Sequence, residues 1–210
     1  MNVNCVGGCK IGIMGGTFDP IHQGHLVLAD QVRENFGLDQ IVFIPVGGAP
    51  HKDTKGMTSK LDRYSMTVAA TASNPYFSVS KIEIDKEGKT YTVDTIKELK
   101  KQLNSQDELF FITGADAIML LETWKDVDQL VKEVNFIAAT RPGYDRASLE
   151  ASIKQFEDNL GANILLTSVP ALAISSTDIR NRVANGQTIR YLVPESVNSY
   201  IEVRGLYHGE

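Results

Sequence analysis

A single α/β domain, built on a doubly wound, mainly parallel sheet with helices on both faces, is the fold this sequence predicts. Three observations lead there. Short β-rich runs alternate with helical stretches, the pattern of a parallel sheet covered on both faces. The chain has 210 residues, a length that suits one domain. The unusual residues gather just after the strands, where ligands bind in such sheets.

The elements follow in order. Lys10–Met14 reads as the first strand, ending at Gly15 and Gly16. Leu26–Phe36 reads as a helix closed by Gly37, the residue expected just past a helix end. Ile41–Val46 is a second apolar run. Lys60–Ala72 has helical spacing, with Leu61, Tyr64, Met66 and Val68 among its apolar members. Phe77–Ile84 alternates with the period of a strand. Val93–Leu103 is a helix with Val93, Ile96, Leu99 and Leu103 on one face, and Leu109–Thr113 a buried strand. Ala115–Leu121 and Val127–Lys132 read as short helices, and Phe136–Thr140 as a strand stopped by Arg141-Pro142-Gly143. Ala147–Leu160 is an amphipathic helix, Asn163–Thr167 a strand, and Thr177–Ala184 and Ser196–Val203 the closing helices.

Composition narrows the classes. The net charge of −5 argues against a general nucleic-acid or anionic-membrane binder, whose surfaces are basic, but not against a local basic pocket for a small anion. No stretch reads as a membrane span or a signal peptide, so a cytoplasmic protein is expected. Cys5 and Cys9 are too few for a disulfide framework. They are expected as two reduced thiols at a frayed terminus rather than as part of a metal site.

The chemistry concentrates in Gly15–His25, GGTFDPIHQGH, between the first strand and the first helix. Gly15 and Gly16 let a ligand approach the backbone. His22 and His25, three apart, share one face of a helical turn. A helix start also offers free N–H groups and a partial positive charge, which suit a phosphate. Two familiar phosphate loops are excluded, because neither G-x-G-x-x-G nor G-x-x-x-x-G-K-[ST] follows the strand. Zinc on His22 and His25 would need a further ligand that the neighbouring sequence lacks.

Other loops carry candidates with bland alternatives. His51 and Lys52 follow the second strand and could meet a triphosphate or simply be solvated. Thr92 is a reasonable N-cap. Asp116, after Gly114, could accept from ribose hydroxyls or cap the next helix. Trp124, the only tryptophan, could be packing alone. Ser175 and Asp178 fit a capping pattern, S-x-x-D, while the same helix start with Arg180 could hold a second phosphate.

GGTFDP followed by His22-Gln23-Gly24-His25 resembles the HIGH-type nucleotidyltransferase superfamily, and within it the bacterial nicotinate mononucleotide adenylyltransferases. Pro50-His51-Lys52, with Ala49 in place of the family's first Pro, Ser175-Ser176-Thr177 with Arg180, Arg141-Pro142-Gly143 and Gly205-Leu206-Tyr207 extend the likeness. It covers residues 10–207 as one nucleotidyltransferase domain, with 1–9 as an N-terminal extension of flexible character. The resemblance implies a Rossmann-like sheet and transfer of the AMP part of ATP to nicotinate mononucleotide, releasing pyrophosphate. It implies catalytic roles for His22, His25, Lys52 and Arg180. It places ATP against Gly15, Gly16, Thr17, Phe18, His22, His25, His51, Lys52, Gly114, Asp116, Ser175, Ser176, Thr177 and Arg180. It places the nicotinate nucleotide against Gly16, Thr17, Asp19, Thr92, Trp124, Lys125 and Arg141, with Trp124 stacking on the pyridine ring and the Lys125 backbone N–H helping to bind the carboxylate. Mg2+ is expected with ATP. No nucleic acid or membrane partner is expected, and a homo-oligomer is left open. Other acceptors in the superfamily and a non-catalytic nucleotide sensor are the rival readings.

Overall fold

In the first strand, Ile11 and Ile13 point to one face of the sheet and Gly12 and Met14 to the other, and all four are buried. A strand buried on both faces must lie inside a sheet with helices above and below. The computed structural model, which describes residues 8–48, 56–140, 145–170 and 172–208, places it there. Six parallel strands run in the order β3-β2-β1-β4-β5-β6. They are β1 (Lys10–Gly16), β2 (Gln40–Pro45), β3 (Phe77–Val79), β4 (Glu108–Gly114), β5 (Asn135–Thr140) and β6 (Ile164–Ser168).

The chain winds outward from β1 to β3, then returns to lay β4 on the other side of β1. That reversal is a topological switch point, and the crevice beyond it is where open α/β sheets bind ligands. Strand β1 pairs with β4 from Lys10 to Ile13, whereas its pairing with β2 continues to Gly16 against Pro45. The carboxyl ends of β1 and β4 therefore part, and the crevice opens at Gly15 and Gly16.

Helices α3 (Thr92–Lys100), α5 (Val127–Glu133) and α6 (Arg146–Leu160) cover one face, where Ile11, Ile13, Phe111 and Phe136 pack against Ile96, Leu130 and Phe156. Helices α1 (Gln23–Phe36), α2 (Lys60–Thr71), α7 (Ser176–Ala184) and α8 (Glu195–Arg204) cover the other, where Phe43, Phe110 and Ile112 meet Val32, Met66, Ile179 and Ile201. A four-residue helix α4 (Ala115–Ile118) and a 3-10 turn (Leu121–Thr123) follow β4 in place of the longer helix expected there. Helix α1 ends at Gly37 in the left-handed conformation, as the sequence predicts.

Four expectations need correction. The strand expected over Phe77–Ile84 stops at Val79. Its last sheet bond is Ser80 N–H to Phe43 O, and the chain then turns, with Asp85 N–H bonded to Lys81 O. The turn carries Glu83 inward to a buried site. Thr92 is not the N-cap of α3 but its first helical residue, because the preceding Tyr91 holds the extended cap conformation. Cys9 is no frayed thiol. It is buried, its N–H donates to Asp107 Oδ1 at 2.8 Å, and its sulfur is in a disulfide.

The largest correction concerns α2. Leu61 is 60% exposed and Val68 39%, although both were expected in the apolar stripe. The buried face instead carries Asp62, Arg63, Met66, Thr67 and Ala70. Arg63 is 1% exposed and spreads its guanidinium over three backbone carbonyls. Nη1 donates to Thr17 O at 2.7 Å, Nη2 to Val46 O at 2.7 Å, and Nε to Thr58 O at 3.2 Å. These bonds offset the cost of burying the charge. They also tie the segments after β1 and β2 to the start of α2.

Removing this fork takes away three hydrogen bonds from a charged donor, at about 1.5–3 kcal/mol each. Arg63→Met is expected to lower unfolding free energy by about 3 kcal/mol or more in urea titrations, and Arg63→Lys to restore only part, since one ammonium cannot reproduce the fork. A wild-type midpoint for Arg63→Met would contradict this role.

Candidate active site

The first loop leaves β1 at two glycines with different reasons. A Cβ on Gly16 would come within 2.7 Å of the Phe18 ring, so only glycine fits. Gly15 instead faces the crevice and is exposed. Phe18 holds a left-handed φ of 50°, unusual for a residue with a side chain. Burial of its ring against Phe43, at 5.9 Å between centroids, holds it there. The same ring meets His25 edge-on at 5.1 Å.

Helix α1 begins at Gln23, earlier than expected, with His22 as its N-cap and His25 in its first turn. The two imidazoles stack with centroids 3.7 Å apart. The His22 N–H donates to His25 Nδ1 at 3.2 Å. With Nδ1 accepting, the neutral ring keeps its proton on Nε2. Burial, and then the neighbouring His22, push the His25 pKa down to about 3. Near neutral pH His25 is thus an uncharged Nε2–H donor at a helix start.

Helix α7 completes this half of the site. Ser175 caps it by accepting from Asp178 N–H at 3.1 Å, as the S-x-x-D pattern suggests. Ser176 Oγ donates to Pro20 O at 2.8 Å, and Arg180 Nη1 to Asp19 O at 2.8 Å. Arg180 Nη2 also reaches Thr177 Oγ1 at 3.3 Å. The start of α7 therefore grips the loop that leads into α1. The Asp19 carboxylate is turned inward, where it accepts from Tyr207 Oη at 2.7 Å and Thr58 N–H at 3.2 Å. Burial, chiefly, together with the Asp19 carboxylate, pushes the Tyr207 phenol up, so it stays protonated and donating.

The other half is a cavity of about 250 Å³ between the parted ends of β1 and β4. Gly15, Gly16, Thr92, Phe111, Trp124 and Glu83 are among its walls. Trp124 meets Phe111 at 5.6 Å and Phe136 at 6.3 Å, both nearly perpendicular, so it packs against the core while also walling the cavity. The Lys125 side chain donates to Asp94 Oδ2 at 3.1 Å and lies over the Tyr91 ring, while the group expected at the site is its backbone N–H. Gly114 is the N-cap of α4, and Asp116 is exposed in its first turn without capping it. His51, Lys52 and Arg141 lie outside the described residues.

Sequence reasoning passed over Arg63, Glu83 and the inward role of Asp19. A charged residue on a helix reads as surface, and the partners of Asp19 and Glu83 lie on other elements. The one local signal is for Arg63, which falls three residues before Met66 and four before Thr67 on a helix whose outer positions are apolar.

The cytidylyltransferase-like family model matches residues 13–182, which defines the class to which the fold and its first loop belong. A probable nicotinate-nucleotide adenylyltransferase of a Thermoanaerobacter species is 54% identical over 198 residues, 94% of each chain. One from Moorella thermoacetica is 55% identical, over 94% of this chain and 91% of its own. The chain belongs to the nicotinate-nucleotide adenylyltransferase family. The fold is also that of a Plasmodium falciparum nicotinic acid mononucleotide adenylyltransferase. Its complex with NaAD superposes with a TM-score of 0.78 at 22% identity, covering 95% of this chain and 97% of that one.

The depressed His25 pKa has a pH consequence. The unfolded chain binds this proton from about pH 6.5 downward, while the folded chain resists it until about pH 3. The stability it confers is complete above pH 6.5 and is lost as pH falls toward 3. Between those values, wild type should lose stability more steeply than His25→Gln, by up to about 1.4 kcal/mol per pH unit. Parallel curves for the two proteins would show that His25 titrates normally.

Proposed function

We propose that this protein transfers the AMP moiety of ATP to the 5′-phosphate of nicotinate mononucleotide, forming nicotinate adenine dinucleotide and pyrophosphate in NAD biosynthesis. One observation carries the reading. The same first loop supplies two walls of an aromatic cavity, at Gly15 and Gly16, and the stacked histidines at the start of α1. An aromatic half-site and an anion half-site share one hinge, as joining two nucleotides requires. The names of the bacterial relatives and of the Plasmodium falciparum complex with NaAD support it.

On this reading the acceptor ring enters the cavity against Trp124, and Thr92 at the start of α3 meets its carboxylate. Adenosine lies toward Gly114 and Asp116. The acceptor phosphate, already an anionic nucleophile, attacks the α-phosphorus in line, so no strong general base is needed. Its bond to phosphorus forms as the bond to the bridging oxygen of pyrophosphate breaks. His25 Nε2–H, with His22, donates to the α-phosphate oxygens as charge builds. The starts of α1 and α7, with Arg180 and Lys52, hold the phosphates. The hydrogen bonds of Arg180 and Ser176 to the first loop fix these donors before substrate arrives, so little reorganisation is left for the reaction.

Among the described residues, no three His, Cys, Asp or Glu side chains gather where they could hold a metal ion. Mg2+ enters as the companion of ATP, held by phosphate oxygens and water. Among the described residues no helix is long and apolar enough to cross a membrane, and a cytoplasmic setting completes the reading.

Pyrophosphate release from ATP and Mg2+ is the test, with the acid and amide mononucleotides as separate acceptors. Release with the acid at the higher kcat/KM is expected. Preference for the amide would overturn the acceptor, and ATP binding without release would point to a sensor. His25→Ala should lower kcat by about 10²–10³, the loss typical of one preorganised donor. A near-wild-type rate in that variant would remove His25 from the chemistry.

A further inference from the structure

A cavity meant for a nucleotide that carries a phosphate and a carboxylate should avoid acids, yet one wall is a carboxylate. Among the described residues that line it, Glu83 is the only ionisable side chain. It is 7% exposed and firmly held. Oε2 accepts from Thr90 Oγ1 at 2.6 Å and from Gly47 N–H at 3.3 Å, and Oε1 accepts from Thr95 Oγ1 at 2.8 Å. Gly47 is shaped for this contact, since a Cβ there would fall 2.0 Å from Glu83 O.

These donors are neutral. Arg63, whose fork ends on the neighbouring Val46 carbonyl, feels the Glu83 charge but spends its own donors on backbone oxygens. Among the described residues no Lys or Arg forms an ion pair with Glu83. Glu83 thus has a guanidinium near it but, among the described residues, no cation bonded to it, and the cost of burying its carboxylate falls further when a cation arrives beside it. The cavity adds a second group of the same preference, because the indole of Trp124 attracts cations over its face.

We infer that Glu83 is a specificity-determining residue whose carboxylate, with the Trp124 indole, recognises the positive charge of an N-linked pyridinium ring. The inference rests on the proposed acceptor. Nicotinate mononucleotide carries that charge because its ring nitrogen is bonded to ribose. The phosphate is accommodated at the helix starts and the carboxylate at Thr92, while the ring itself is cationic and meets Glu83. Uncharged rings of the same outline are thereby rejected, which separates pyridine nucleotides from other aromatic ribotides.

The probe is a planar neutral isostere, the 5′-phosphate of a benzoate ring joined to ribose through carbon. The readout is the ratio of kcat/KM for nicotinate mononucleotide to that for the isostere. Wild type should favour the charged ring by at least about tenfold, the scale of one charge pair in a partly screened site. Glu83→Gln, which keeps the shape and removes the charge, should bring the ratio within about threefold of unity, through loss on the charged ring alone. Thr95→Val, which loosens the carboxylate but leaves its charge, should keep the wild-type ratio. No wild-type preference for the charged ring, or an equal loss on both substrates in Glu83→Gln, would overturn the inference while leaving the proposed reaction intact. No turnover of nicotinate mononucleotide by wild type would overturn the reaction and the inference together.

Discussion

A buried guanidinium is the constraint on which this molecule depends. Arg63 reaches from α2 into the interior and donates to Thr17 O, Val46 O and Thr58 O, three carbonyls on separate segments of the chain. Loops at the carboxyl ends of parallel strands leave the sheet ladder with backbone groups unpaired. Here one planar, permanently charged side chain satisfies them together. The surrounding charges of Asp19 and Glu83 oppose the penalty that burial imposes on it. The first loop is thereby fixed to the second and to the start of α2.

From that anchor the order spreads outward in both directions. Toward the histidines, Asp19 accepts from Tyr207 and Thr58, while its own carbonyl accepts from Arg180. The far end of the chain and the start of α7 thus hold the loop that begins α1. Toward the cavity, Glu83 gathers Thr90, Thr95 and Gly47. The two half-sites are built from one set of polar interactions inside the fold, not from independent surface loops. Rigid support of this kind is what positions donors before charge develops in a reaction.

Much of this was legible in the sequence, for physical reasons. Strand and helix periods show directly in the alternation of apolar residues, so the sheet and most helices stood out. The loop Gly15–His25 was legible because its requirements are local: two glycines at a close approach and two histidines one turn apart. What failed to show was long-range. Arg63 and Asp62 do not stand out in the sequence because charge defaults to solvent, and only partners on other elements turn that face of α2 inward. Leu61 and Val68 were misplaced by the same logic. Glu83 was hidden inside a strand-like alternation that a turn interrupts. Tyr207 meets Asp19 across nearly the whole chain, a contact no local pattern encodes. Cys9 looked terminal, yet its backbone joins the sheet end through Asp107 and Glu108.

Whether one loop serves two half-sites is decided by a crystal structure with nicotinate adenine dinucleotide bound. The pyridine ring should lie in the cavity against Trp124, within reach of Glu83. The bridging phosphates should lie across the starts of α1 and α7, beside His25 and Arg180. A dinucleotide whose pyridine half lies outside the cavity, or whose phosphates miss the histidine pair, would contradict that shared role.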